Sequence, residues 1–476
     1  MQEPQRNEFY RTSARDEINA PPVRFLEGKR GESAPDSCYG NIFMLEIKPI
    51  GNLQATVKVP GSKSYTQRAL CIAALAEGES FLQDALVSED TRYLMEALRS
   101  LGTEIIISGE AIVVTGTGRC IVNPHREIFL GNNGTALRFL TSLVALGRGK
   151  YVITGDSRLC ERPVKPLLEA LKVLGVSAYS RERGGYPPVV IEADGIQGGR
   201  VTLTDVESSQ YVSSILISAP YAKRDVDIQL KGRTASLPYI DLTVKVMEHF
   251  GVEVRRRGRD NYYVKCGQKY AGQRYLVEGD ISSASYFFLA AALCGGRVRV
   301  LNINPHSEQG DTRFLRIMED LGCSVLRGDT WIEVSGGKLP GGEYVADMGD
   351  MPDMVPTMAV LSAFRSGRTV ITNVSHLRLK ESNRLAAPVN ELKRMGIVAR
   401  ETDDGLIIDG GKPHGAEIET YNDHRIAMSF AIAGLVIAGI RIKNSTCVNK
   451  SFPGFWDELK KLVTAQKSEV RSQNPE

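Results

Sequence analysis

Two kinds of hydrophobic stretch alternate along the chain. In the first, apolar residues run almost unbroken for several helical turns and a strand-like run follows. Examples are TALRFLTSLVALGRGKYVITG (135–155), SASYFFLAAALCGGRVRVLNI (283–303) and HRIAMSFAIAGLVIAGIRIKN (424–444). A helix that is apolar nearly all round belongs in a core. Six such helices are predicted, beginning near Thr66, Thr135, Ser209, Ser283, Asp353 and His424, at spacings of 69, 74, 74, 70 and 71 residues. The second kind is an amphipathic helix that stops at glycine and leads into a hairpin pattern. It recurs at 93–102, 166–175, 240–251, 312–322 and 388–396, closing on Gly102, Gly175, Gly251, Gly322 and Gly396. Glycine supplies the positive φ needed just past a helix end. A sixth instance, at 456–463, is cut short by the C-terminus.

The pattern therefore predicts an α/β chain of six copies of strand–helix–strand–helix–hairpin. Each copy holds one buried and one surface helix, which implies three layers: buried helices, sheet, outer helices. Limits on domain size suggest two groups of three. The buried helices open on polar residues: GSKSYT, GNNGTA, ESSQY, ISSAS, MPDMVP and NDHR. Helix starts carry free N–H groups and partial positive charge, so helix starts that converge favour an anion.

Composition changes this picture little. The 476 residues are 42% hydrophobic and 24% charged, with a net charge of +3, too small to imply nucleic acid or a membrane surface. Eight cysteines are scattered without zinc or disulfide spacing, which suits a reducing cytoplasm. Residues 1–43 are polar and aperiodic and read as a disordered tail, with Met44 a candidate native start. No Rossmann, P-loop, metal or Ser-His-Asp pattern is present.

Local charge is more informative. Lys63, Arg68, Arg138, Arg162, Lys380, Arg384, Arg425 and Lys450 all fall near turns or helix starts. Such concentration in a near-neutral chain points to a small polyanionic ligand. Gly131 and Gly134 flank Asn132 in a turn open to an anion. Asp353 opens a buried helix, where it is either a cap or a general base. Lys380 and Arg384 would share a face if their run were helical, with Glu381 beside them.

Taken together, the motifs resemble the 5-enolpyruvylshikimate-3-phosphate (EPSP) synthase family over residues 45–463. They are PGSKSYTQRAL (60–70), GNNGTALR (131–138), ERP (161–163), SSQY (208–211), SLPYID (236–241), VEGDISSASYF (277–287), MPDM (351–354), RLKESNRL (378–385), YNDHR (421–425) and NKSFP (449–453). The resemblance implies the two-domain enolpyruvyl-transferase fold: six βαβαββ units, three per domain, with the active site in the cleft. One domain is expected at 61–278, and a discontinuous one at 45–60 plus 279–465, with a C-terminal tail at 466–476.

The resemblance also implies the reaction. The enolpyruvyl group of phosphoenolpyruvate passes to the 5-hydroxyl of shikimate 3-phosphate and phosphate is released, a step toward chorismate and the aromatic amino acids. Shikimate 3-phosphate is expected on Lys63, Ser64, Arg68, Ser208, Ser209, Gln210, Ser236, Tyr239, Asp353, His376 and Lys380. Phosphoenolpyruvate is expected on Lys63, Asn132, Gly134, Arg162, Gln210, Arg384, Arg425 and Lys450. Asp353 is the expected base on the 5-hydroxyl. Glu381, near Lys63, is the expected donor to the methylene carbon, which calls for a raised pKa in the closed site. No metal or cofactor is expected, and no nucleic-acid or membrane partner; a cytoplasmic monomer is. Phe139, Asn383 and His376 depart from residues usual in the family. Two rival readings are the fold-sharing UDP-N-acetylglucosamine enolpyruvyl transferase and a non-catalytic polyanion-binding repeat protein.

Overall fold

The computed structural model describes residues 44–51, 53–182, 184–258 and 260–462. The expected tails at 1–43 and 466–476 lie outside the described residues. The six apolar runs form helices Lys63–Leu75, Gly134–Leu143, Ser209–Ser218, Ile281–Cys294, Val355–Ala363 and His424–Ala433. Nearly every residue in them is buried. The amphipathic runs form helices Glu89–Ser100, Lys165–Val173, Pro238–His249, Phe314–Asp320 and Ala386–Arg394, and a further helix spans 455–462. All five closing glycines have φ between +80° and +101°.

Two apolar cores result. One gathers residues from Tyr65 to Val277; the other joins Ile47–Val59 to Ile281–Leu462. We refer to the elements around them as the first and second lobes. The buried helices of a lobe meet through small hydroxyl residues at equivalent repeat positions. Ser285 Oγ lies 3.1 Å from Thr357 Oγ1, which lies 3.4 Å from Ser429 Oγ. The hydroxyls satisfy one another where water is absent.

The strands form five four-stranded sheets and one three-stranded sheet among the described residues. Most sheets hold one repeat each, but the first and fourth repeats exchange opening strands. Gln54–Lys58 pairs in parallel with Arg297–Leu301 of the fourth repeat, and Arg274–Leu276 with Glu79–Gln83 of the first. The sixth repeat, which shows no hairpin among the described residues, is joined by Leu45–Ile47, antiparallel to Ile440–Ile442.

The exchange makes the chain cross between lobes twice, and the two crossings lie side by side. Gly61 and Gly279 form an antiparallel bridge, with Ser62 N–H donating to Glu278 O (2.7 Å) and Asp280 N–H to Pro60 O (2.9 Å). Neither glycine has room for a side chain. A Cβ at Gly61 would sit 2.0 Å from Asp84 O, and one at Gly279 2.4 Å from Asn302 O. Gly61→Ala is therefore expected to destabilise the chain by about 1–3 kcal/mol, the usual range for overpacking. Denaturant unfolding checks this, and an unchanged midpoint would show that the crossing has slack.

Candidate active site

The starts of four of the six buried helices converge on one small cavity between the lobes. Its walls from the first lobe are Lys63, Ser64, Arg68, Thr135, Arg162, Ser208, Ser209, Gln210, Ser236 and Tyr239; from the second come Pro352, Asp353, Lys380 and Glu381. The enclosed space is about 50 Å³. Asn132, Gly134, Arg384, Arg425 and Lys450 stand behind this wall, in contact with its members directly or through Asp90 and Asn132.

Arg162 is 3% exposed and donates from Nη1 to Asn132 O and Oδ1, both at 3.3 Å. Its guanidinium lies against Gly134, where a Cβ would stand 2.5 Å from Cζ, so the glycine is needed for close approach. Lys63 and Lys450, from opposite lobes, share one carboxylate. Lys63 Nζ is 3.1 Å from Asp90 Oδ2, and Lys450 Nζ is 2.7 Å from Asp90 Oδ1. Lys450 Nζ also donates to Asn132 O (3.0 Å).

In the second lobe Arg384, 1% exposed, touches three carboxylates: Asp423 (Nε–Oδ2, 2.7 Å), Asp353 (Nη1–Oδ1, 2.9 Å) and Glu381 (Nη2–Oε2, 3.0 Å). Arg425 Nη2 holds the other Asp353 oxygen at 2.8 Å. Asp353 is thus an ion-pairing group and not a helix cap; it sits in the turn Pro352–Met354 ahead of helix Val355–Ala363. Burial acts to raise its carboxyl, but Arg425, Arg384 and Lys380 outweigh that and hold it well below the usual carboxylate range. The Lys380 ammonium is lowered to about 8, first by burial.

Two expectations need correction. Residues 380–385 are not helical: the 3-10 turn Ser375–Leu379 gives way to an irregular turn, and helix Ala386–Arg394 begins after it. Asn383 accounts for this, since Oδ1 accepts from the N–H groups of Leu385 and Ala386, both at 3.1 Å. The turn lets Lys380 and Glu381 face the cavity while Arg384 reaches behind them. Nor is the Glu381 carboxyl raised. Burial works upward, but Arg384, Arg162, Lys63 and Lys450 together hold it well below the usual range. Arg162 Nη1 stands 3.6 Å from Glu381 Oε1, across the lobes.

Arg68 is almost wholly buried. It donates to Thr243 Oγ1 (2.7 Å), Ser64 O (2.9 Å) and Tyr239 O (3.1 Å), and its guanidinium lies over the Phe139 ring at 5.1 Å, which gives that residue a packing role. His376 lies in the turn before Lys380 and does not line the cavity; burial lowers its imidazole to about 3, with Lys380 and Arg233 adding.

Several neighbours of the site escaped the sequence reading. Asp90 follows Ser88, whose capping box with Thr91 makes its carboxylate look like first-turn decoration. Asp423 caps helix His424–Ala433 and also anchors Arg384. His424, which the sequence already marks beside Arg425 at the start of the sixth apolar helix, is fully buried and kept neutral, first by burial and then by Lys63 and Arg425. Arg158 donates to Lys380 O (Nε 3.0 Å, Nη2 2.9 Å) and Arg378 O (3.1 Å), joining the lobes through backbone carbonyls. Its place in a charged turn gave only the signature of a solvated arginine.

Cations and helix starts converging from two lobes, with two carboxylates among them, define an enzyme that brings small anions together. The EPSP synthase (3-phosphoshikimate 1-carboxyvinyltransferase) family model matches residues 47–459, and the chain belongs to that family. It is 42% identical over 413 residues to the 3-phosphoshikimate 1-carboxyvinyltransferase of Nostoc punctiforme, covering 86% of this chain and 97% of that protein. The enzyme of the same name from Syntrophobacter fumaroxidans is 42% identical over 423 residues, covering 87% and 99%. A solved EPSP synthase structure from Acinetobacter baumannii matches with a TM-score of 0.73 at 28% identity, covering 88% of this chain and 98% of that one.

Two outcomes follow from the geometry. Asp423→Ala takes away one of the three carboxylates on the buried Arg384 guanidinium and the cap of helix His424–Ala433, and is expected to cost about 3–5 kcal/mol of stability, as for other broken buried pairs, measured by urea unfolding. For His376 the folded value of about 3 lies below the unfolded 6.5. Below pH 6.5 the unfolded chain takes up a proton that the folded chain refuses, so this residue costs stability as pH falls toward 3. Relative to His376→Asn, the native chain should lose about 1.4 kcal/mol per pH unit in that window. Parallel stability curves from pH 7 to 5 would contradict it.

Proposed function

We propose that this chain transfers the enolpyruvyl group of phosphoenolpyruvate to the 5-hydroxyl of shikimate 3-phosphate, releasing phosphate. The observation that carries the reading is the placement of two ionised carboxylates, Asp353 and Glu381, on either side of Arg384, facing a cavity walled by Lys63, Arg162 and Lys380. Both substrates are anions, and fixed cations offset their repulsion before they meet. Shikimate 3-phosphate is assigned to Lys63, Ser64, Ser208, Ser209, Gln210, Ser236, Tyr239 and Lys380, with Arg68 bracing Ser64 and Tyr239 from below. Phosphoenolpyruvate is assigned to Arg162, Arg384, Arg425 and Lys450, with Asn132 and Gly134 shaping the Arg162 side. Both lobes line the cavity, so the lobes part at the Gly61–Gly279 crossings to admit the substrates.

In the addition step the 5-oxygen bonds to C2 of phosphoenolpyruvate, its proton passes to the Asp353 carboxylate, and C3 takes a proton from the Glu381 carboxyl. In the elimination step the C2–O bond to phosphate breaks, the departing phosphate oxygen takes the proton held by Asp353, and Glu381 takes a proton back from the new methyl group. Glu381 must therefore be protonated at the start. A phosphate dianion and a carboxylate drawn onto Arg162, Arg384 and Lys450 counter the charges that hold Glu381 ionised, and its pKa rises as they bind.

One chain supplies both walls, so no partner subunit is needed. The cysteines of the described residues are free thiols, in keeping with a cytoplasmic setting. No helix among the described residues is long and apolar enough to cross a membrane. The test is phosphate release on mixing the two substrates with the protein; no release with both bound would overturn the reading. Asp353→Ala should lower turnover by at least ~100-fold with binding largely kept, on the scale of lost acid–base catalysis.

A further inference from the structure

A third carboxylate lies beneath the site, and neither step of the reaction uses it. Asp311 belongs to the 3-10 turn Gly310–Arg313 of the second lobe and is 1% exposed. Its Oδ2 accepts from the Tyr239 hydroxyl at 3.0 Å and from the Ser282 hydroxyl. Its Oδ1 is buried with no hydrogen-bond partner. Tyr239 belongs to the first lobe, and its ring walls the cavity beside Ser236. The Tyr239–Asp311 bond therefore crosses between lobes underneath the acceptor subsite.

Tyr239 is held from both ends. Its backbone carbonyl accepts from Arg68 of its own lobe at 3.1 Å, and the Arg68 guanidinium lies 5.9 Å from its ring centre. Its hydroxyl is held only by the opposite lobe. Ser282, the second donor to Asp311, lies in the first turn of helix Ile281–Cys294, directly after the crossing at Gly279. Burying a carboxylate with one oxygen unsatisfied costs free energy. The two hydroxyl donors offset part of that cost, and one of them is available only when the lobes meet. Burial raises this carboxyl to about 7, with the nearby Asp353 charge adding.

We propose that Asp311 is a positioning residue for the acceptor: it fixes the Tyr239 ring across the lobe boundary, so that closing the lobes and walling the shikimate 3-phosphate ring are one event. The inference rests on the acceptor assigned above. Tyr239→Phe removes the hydroxyl alone, Asp311→Ala removes the acceptor oxygen, and Asp311→Asn keeps an oxygen in place. KM for shikimate 3-phosphate and kcat are read by phosphate release at saturating phosphoenolpyruvate, and affinity for shikimate 3-phosphate by calorimetry.

Tyr239→Phe and Asp311→Ala should each raise KM for shikimate 3-phosphate about five- to tenfold, the scale of one hydrogen bond, with kcat changed less. The double variant should be no worse than the worse single, and Asp311→Asn should lie within about twofold of the native chain. Multiplying effects in the double variant, or an Asn variant as impaired as the Ala variant, would overturn the proposal. Should Asp311→Ala fail to fold, Tyr239→Phe decides alone, because an unchanged KM there removes the tie. A native chain that releases no phosphate would count against the functional reading and not against this bond.

Discussion

Positive charge is packed into a buried cleft, and the protein has to hold it there. Lys63, Arg162, Lys380, Arg384, Arg425 and Lys450 would repel one another strongly at low dielectric. Four carboxylates keep them in place. Asp90 sits between Lys63 and Lys450, Asp423 backs Arg384, Asp353 bridges Arg384 and Arg425, and Glu381 lies between Arg162 and Arg384. A buried pair of this kind adds little net stability, yet losing one partner is expensive. Two of the arrangements, Asp90 with Lys450 and Glu381 with Arg162, reach from one lobe to the other. Asp353 and Glu381 thus hold the same guanidiniums that the phosphates and carboxylates of the proposed substrates would draw on.

The repeat was legible in the sequence because two signals agree at five of the six copies. An all-apolar helix has nowhere to go but inside, and a glycine past each amphipathic helix marks its end in backbone terms alone. The exchange of opening strands is different: Gln54–Lys58 and Arg274–Leu276 have ordinary strand patterns, and nothing in their hydrophobicity says which sheet they enter. Only the family resemblance put residues 45–60 with the C-terminal half.

The site was legible as a set of cations and less so as a network. Charged groups at helix starts are easy to collect from sequence, but their partners hide in positions with an everyday explanation. Asp90 reads as part of a capped first turn, Asp423 as a cap, and Asp311 as an acidic residue opening a helix. Each is also what its turn requires locally, so the second role shows only in three dimensions. The Lys380–Arg384 spacing misled for the opposite reason: the interval fits a helix, while Asn383 ties the backbone into a turn. The ionisation of Glu381 could not be read at all, since it depends on four cations drawn from distant segments.

The swapped strands also order events while the chain is being made. Val59 and Asn302, whose backbone and side chain clasp each other, are 243 positions apart. On the ribosome the segment Gln54–Lys58 emerges early and stays an unpaired edge until Arg297–Leu301 follows it out. Sheet edges left open that long invite wrong pairing, and closing so long a loop slows the search. Among the described residues the second lobe therefore takes its strand Gln54–Lys58 from before the first lobe and its helix 455–462 from long after it. The vectorial route from N- to C-terminus leaves the first lobe to close its own sheet, with Arg274–Leu276, before its neighbour can begin.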